Sequence, residues 1–94
     1  MNKYELVLIV APNLTDEEVK ATAEKAKSVI EGNGGVIDNV DDWGKRRLAY
    51  EINDFSEAFY FLVNFTSSPE LPKELDRILR ITDSVIRHMI VNID

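Results

Sequence analysis

The chain has no cysteine. That absence removes disulfide staples, thiolate zinc sites and cysteine nucleophiles together, and it fits a reducing compartment. There is one histidine, His88, with no second histidine and no carboxylate constellation to support it. Neither a metal site nor a catalytic triad is expected around it. No apolar run approaches the roughly 18 residues of a membrane span. Met1-Asn2-Lys3 leads into a short apolar stretch that Pro12-Asn13 ends, which is not the pattern of a signal peptide. Excess positive charge is lacking too. The formal net charge is -6 and the isoelectric point is near 4.7, which argues against a general nucleic-acid binder. The expectation is a soluble cytoplasmic protein with no membrane contact, cofactor, metal or small-molecule substrate. Its 94 residues suit a single domain, 1–94, with a modest core.

Within this acidic chain, Trp43-Gly44-Lys45-Arg46-Arg47-Leu48-Ala49-Tyr50 gathers three consecutive cations between two aromatic residues. Asp38, Asp41 and Asp42 lie just upstream, so the charge changes sign within a few residues. Attraction to a polyanion follows local cation density more than the global sum. Lys45, Arg46 and Arg47 could grip phosphates while Trp43 and Tyr50 stack on bases or ribose. A solvated edge strand would look the same, since cations on an edge discourage edge pairing. The residues alone leave both readings open.

Six elements follow from periodicity and punctuation. Tyr4 to Val10 is apolar apart from Glu5 and too short for an independent helix. It reads as a central strand buried on both faces. Thr15 and Glu18 form a Thr-x-x-Glu capping box, with Leu14 and Val19 as a hydrophobic staple. Val19, Ala23, Ala26 and Ile30 then recur at helical spacing, and Gly32-Asn33-Gly34-Gly35 stops the helix. Val36 to Ile52 reads as a long strand kinked near Gly44. Asn53-Asp54-Phe55-Ser56 reads as a turn, and Ala58 to Phe65 as a third strand hairpinned to the second. Ser68-Pro69 is expected to open a second helix with Ser68 as its cap, carrying Leu71, Leu75, Ile78 and Leu79 inward. Thr82-Asp83 is its exit turn, and Val85 to Ile93 is the last strand.

The order β-α-β-β-α-β with right-handed crossovers predicts an α+β, ferredoxin-like fold. Its antiparallel sheet has four strands, with both helices on one face. The other face is left open, yet its residues are not clearly polar. Val7 and Ile9 oppose Leu6, Leu8 and Val10. Tyr60 and Leu62 oppose Phe59, Phe61, Val63 and Phe65. In the last strand Val85, Met89, Val91 and Ile93 oppose Ile86, His88 and Ile90. Scattered apolar residues on a surface are normal, but an excess on three strands favours a partner protein over the open face.

Other motifs carry less. Arg77 and Arg80 have Glu74 and Asp76 as helical neighbours and are expected to pair with them. Arg87 sits in an apolar strand, where an unpaired charge is costly, so it is expected to reach an edge or an anion. The glycine run at 32–35 follows a helix, whereas phosphate-binding glycine loops precede one. Glu57-Ala58-Phe59-Tyr60-Phe61-Leu62 lacks the basic residue and glycine of an RNA-recognition octamer. The arginine-containing phosphate loop of acylphosphatases has no counterpart.

Taken together, three landmarks resemble the bacterial small-subunit ribosomal protein six family. They are the opening Tyr4-Glu5 with its apolar strand, the Gly44-Lys45-Arg46-Arg47-Leu48-Ala49-Tyr50-Glu51-Ile52 segment, and Leu79-Arg80-Ile81-Thr82-Asp83-Ser84-Val85-Ile86-Arg87. The resemblance spans essentially the whole chain. It implies a non-enzymatic, structural role in the platform of the small subunit. It also implies binding to small-subunit ribosomal RNA together with ribosomal protein eighteen. By position it carries Lys3, Tyr4, Lys45, Arg46, Arg47, Tyr50, Arg80 and Arg87 over as candidate RNA contacts. Asn2-Lys3 is less basic than the start of many relatives, which thins the contact expected there. The chain also ends at Asp94, without the extension of several members, so contacts that use such a tail are unassigned. The alternative from another class is a homodimeric ferredoxin-like domain that binds a small ligand or regulates an enzyme.

Overall fold

The computed structural model describes residues 1–93. Its elements are β1 (Asn2–Val10), α1 (Asp16–Gly32), β2 (Val36–Ile52), β3 (Phe55–Ser67), α2 (Leu71–Arg80) and β4 (Val85–Asn92). The four strands form one antiparallel sheet in the order β2-β3-β1-β4. This is the expected ferredoxin-like arrangement. Both helices pack on the same face, over a core in which Leu6, Leu8, Val10, Val63 and Phe65 meet Val19, Ala26, Ile30, Leu75 and Leu79. Burying each such side chain contributes roughly 1.5–3 kcal/mol.

Local chemistry explains the helix ends. Thr15 Oγ1 accepts from the Glu18 amide (3.2 Å), and Glu18 Oε1 accepts from the Thr15 amide (3.1 Å). The capping box is complete and satisfies two orphan donors at the start of α1. At the far end the Gly35 amide donates to the Ile30 carbonyl (2.8 Å). A Cβ on Gly35 would stand 2.8 Å from Ile30 Cγ2 and 2.9 Å from both the Ile30 carbonyl oxygen and Leu71 Cδ1. Only glycine fits where this turn is pressed between the two helices.

α2 starts later than Ser68-Pro69 suggests. The Ser68 carbonyl accepts from the Leu71 amide (3.3 Å), closing Ser68–Leu71 as a turn with Pro69 at its second position. The helix begins at Leu71, with Pro72 filling the first-turn role expected of Pro69, and no side chain caps it. Leu71, Leu75 and Leu79 are buried, whereas Ile78 is only partly so.

The β2–β3 hairpin is tighter than the four-residue turn expected from sequence. Asn53 (φ 50) and Asp54 (φ 68) take positive φ in succession, as a type I′ turn requires, and Ile52 pairs directly with Phe55. Three irregularities interrupt the β2 register. They lie between Ile37 and Asn39, between Asp42 and Gly44, and between Arg47 and Ile52. At the second, Gly44 takes φ 70 and its amide donates to Asp42 Oδ1 (2.9 Å), which is the kink expected near this glycine. A further bulge lies in β4 opposite Ile9 and Val10, where Ile86 is the extra residue between Arg87 and Val85, and it shifts the start of β4 by one residue. Val85 therefore packs into the helix-side core and Ile86 turns to the open face. A simple alternation assigns these two residues the other way round, because a one-residue slip exchanges faces.

Candidate nucleic-acid interface

The pairing register sorts the open face into rows that run across the sheet. Moving along β1, the rows are Lys3 with Thr66 and Val36, then Glu5 with Asn64, Asn39 and Val91. Val7 follows with Leu62, Asp41 and Met89, and then Ile9 with Tyr60, Gly44 and Arg87. Arg46 pairs with Ala58 beyond the end of β1. Asp38, the extra residue between Ile37 and Asn39, reaches the first row through its side chain, Oδ2 accepting from Thr66 Oγ1 (2.7 Å). The face thus begins acidic, is apolar in the middle and ends basic.

The basic end is built by the long hairpin. Because of the third irregularity in β2, Leu48 folds inward against Ile9 and Ala58, with Ile52, Phe55, Tyr60 and Ile86 around them. This makes a small second core on the face the helices do not cover. Tyr50 is brought over β4, where its hydroxyl accepts from Arg87 Nη1 (2.6 Å). The pair borders a hollow of about 280 Å³ lined by Val7, Ile9, Leu48, Tyr60 and Met89. Trp43, in the kink beside Gly44, stacks on Tyr60 with ring centroids 6.5 Å apart and planes 12° apart. Its carbonyl accepts from Arg46 Nε (3.0 Å). Trp43, Tyr50 and Met89 remain 48%, 63% and 51% exposed.

The structure divides the candidate RNA contacts. Arg46 and the Tyr50–Arg87 pair lie at the same end of the open face, Arg46 on edge strand β2 and Arg87 on the opposite edge strand β4. Lys45 goes the other way, with its ammonium 5.4 Å from the centroid of the Phe59 ring on the helix side. Arg47 follows the alternation of Lys45 and is exposed opposite Glu57. The three consecutive cations therefore straddle the strand and do not form one patch. Lys3 is exposed at the opposite, acidic end.

Two others are committed elsewhere. Tyr4 is buried, stacked on Phe65 at 5.5 Å between centroids, and its hydroxyl accepts from Asn2 Nδ2 (3.3 Å). Its ring belongs to the helix-side core and is not offered for stacking. Arg80 lies in the helical layer with its guanidinium 2.6 Å from Asp76 Oδ2, and Arg77 pairs with Glu74. The hydrogen bond from Arg77 holds the Glu74 carboxyl below its ordinary range. Asp76 also takes a 2.6 Å hydrogen bond from His88 Nε2. That bond chiefly, with the nearby Arg80 charge, lowers the Asp76 carboxyl against the opposing effect of burial. His88 thus ties β4 to α2. Among the described residues, no group of three or more His, Asp or Glu is placed to hold a metal. No helix is long and apolar enough to cross a membrane.

Sequence reasoning singles out Trp43 and Tyr50 but not Tyr60, the platform under Trp43. Alternation across an unbroken strand gives no sign of that stack. The clue is Gly44, whose positive φ makes the bulge that turns Trp43 over the sheet.

Residues 3–92 match the family model of ribosomal protein S6. Small ribosomal subunit protein bS6 of Clostridium beijerinckii is 64% identical over 92 residues, spanning 98% of this chain and 97% of its own. The protein of that name from Clostridium botulinum strain 657 is 63% identical over 91 residues, spanning 97% of each. The crystal structure of 30S ribosomal protein S6 from Thermotoga maritima aligns with a TM-score of 0.93 at 35% identity. That alignment covers 97% of this chain and 86% of that one. The matched sequence and the matched topology agree. The chain belongs to the ribosomal protein S6 family, and it is a structural component of the bacterial small subunit in the cytoplasmic ribosome, not an enzyme.

Proposed function

We propose that the chain binds small-subunit ribosomal RNA together with ribosomal protein eighteen and thereby supports assembly of the platform. The observation that carries this reading is the open sheet face. Exposed apolar residues there, Met89 and Val91 among them, adjoin a basic end of Arg46 and Arg87 with Trp43 and Tyr50. Phosphates bind where guanidinium groups gather, and an unpartnered apolar face takes a protein. The role is electrostatic and steric, and no bond is made or broken. Arg46, Arg87 and Tyr50 are the principal RNA contacts in this reading, with Arg47 and Lys45 reaching phosphates from the outer side of the strand. Lys3 and Arg80 are peripheral, and Tyr4 contributes only by holding the core. Family membership favours this reading over a homodimeric regulatory domain.

The test is RNA affinity as a function of salt. If about three to five cations engage phosphates, the slope of log affinity on log salt is roughly −2 to −4. The double variant Arg46→Ala/Arg47→Ala should flatten the slope by about two and bind more weakly while melting at an unchanged temperature. A double variant that enters small subunits as well as the wild type would remove the basic end from the mechanism.

A further inference from the structure

The rows of the open face carry more than a single contact surface. We infer that the face is divided, with the acidic half seating a cationic segment of the protein partner and the basic half alone facing phosphate. This rests on the RNA-and-protein reading above and assigns each half its occupant.

Three observations carry it. First, the charges are sorted along the strands. Asp38, Glu5 and Asp41 fall in the first three rows with Lys3 as the only cation, whereas Arg87 and Arg46 fall in the last two. Second, the halves are electrically separate. Two residues of strand advance roughly 6.6–6.8 Å, so the Glu5 row and the Arg87 row lie about 13 Å apart; the Asp41 row is only one step from the Arg87 row, but Asp41 on β2 and Arg87 on β4 stand on opposite edges, three strand spacings or about 14 Å apart. Screening acts over about 8 Å at physiological ionic strength. The arginines therefore do not mask the carboxylates, and a phosphate backbone laid over Glu5 and Asp41 would be repelled. Third, the acidic half is rich in acceptors. Asp41 Oδ2 already accepts from Asn39 Nδ2 (3.2 Å). Asp38 Oδ2 likewise accepts from Thr66 Oγ1 (2.7 Å). Carboxylates call for N–H donors, which an arginine or lysine side chain supplies and a nucleic-acid backbone does not.

The same rows hold the apolar strip of Val7, Leu62, Met89 and Val91. The occupant that fits is a protein segment with cationic side chains toward Glu5 and Asp41 and an apolar side chain on Met89. Charge complementarity would then fix its orientation and speed its encounter. The arrangement also explains how an acidic protein sits against RNA. Its open-face carboxylates face the cationic protein partner, and only its basic end faces phosphate.

The test pairs two charge reversals, Glu5→Lys/Asp41→Lys and Arg46→Glu/Arg87→Glu. Each is measured by titration against purified ribosomal protein eighteen without RNA, and against a small-subunit RNA fragment without protein. Thermal melting confirms that each variant is folded. Glu5→Gln/Asp41→Asn, which keeps the shape and removes the charge, stands in if the reversal does not fold. The acidic-half variants should weaken protein binding by about tenfold or more and leave RNA binding equal or tighter. The basic-half variant should do the opposite. Unchanged protein binding by the acidic-half variants, or an equal loss of RNA binding, would overturn the division while leaving the proposed function standing. A wild-type chain that binds neither probe would overturn both.

Discussion

The two faces of this sheet are made from the same strands, yet they are finished differently. On the helix side, alternate residues of β1 and β3 are closed over by α1 and α2 into a continuous core. On the open side the alternate residues are also apolar, but only Ile9, Leu48 and Ala58 become a buried nucleus, and the hairpin folding back on the sheet is what covers them. Val7, Tyr60, Leu62 and Ile86 are only partly covered, and Met89 and Val91 are exposed. The helix-side residues contribute stability in the isolated chain. The open-side residues cost nothing to expose only if something else covers them in use. One sheet thus separates folding from binding.

The sharpest probe of that difference removes the same chemistry from each face. Leu75→Ala, at a fully buried site, should cost about 2–5 kcal/mol in urea denaturation. Leu48→Ala lies in the small hairpin nucleus, whose edges can collapse, and should fall at or below the low end of that range. Met89→Ala should change stability by no more than about 0.5 kcal/mol. If Leu48→Ala costs as much as Leu75→Ala, the two nuclei are one cooperative core and the contrast fails. Gly35→Ala should destabilise by about 1–3 kcal/mol by overpacking against Ile30 and Leu71. Thr15→Ala should cost about 1 kcal/mol by opening the capping box. Both changes act on the helical layer and should leave RNA affinity unaltered.

The smallest expected effect concerns acid. Asp76 titrates lower in the folded chain than in the unfolded one because of His88 and Arg80. Its contribution is therefore complete above the ordinary aspartate range and is lost as pH falls through the depressed folded value. Asp76→Asn should be less stable than the wild type at neutral pH, and the gap should close on acidification. A gap that stays constant from neutral to acid pH would remove this linkage between α2 and β4.

Much of this was legible in the residue order. The capping box at Thr15 and Glu18, the stripe from Val19 to Ile30 and the kink at Gly44 all stand where local chemistry puts them. The topology follows from the element order. What the order of residues does not reveal is set by slips of register. The bulge opposite Ile9 and Val10 exchanges the faces of Val85 and Ile86. The irregularity after Arg47 carries Tyr50 across to Arg87. Periodicity assumes an unbroken strand, so a side chain beyond a bulge is placed only when its partner strand is known. The same limit explains the basic cluster. Lys45, Arg46 and Arg47 are adjacent in sequence, but a strand sends neighbours to opposite sides. Only Arg46 joins Arg87, a residue 41 positions away, at the basic end of the open face. Tyr4 illustrates the reverse case, where a landmark of the family start serves packing.

The most direct measurement is the rate of Met89 oxidation by peroxide, read by mass spectrometry in the free protein and in assembled small subunits. Met89 stands in the middle row of the open face, on the edge strand β4, and is accessible in the free chain. If the open face is a binding surface, oxidation should be rapid in the free protein and suppressed by about tenfold or more after assembly, as expected for burial under a packed partner. Equal rates in the two states would show that the open face stays bare in the ribosome, and the separation of folding from binding across this sheet would be wrong.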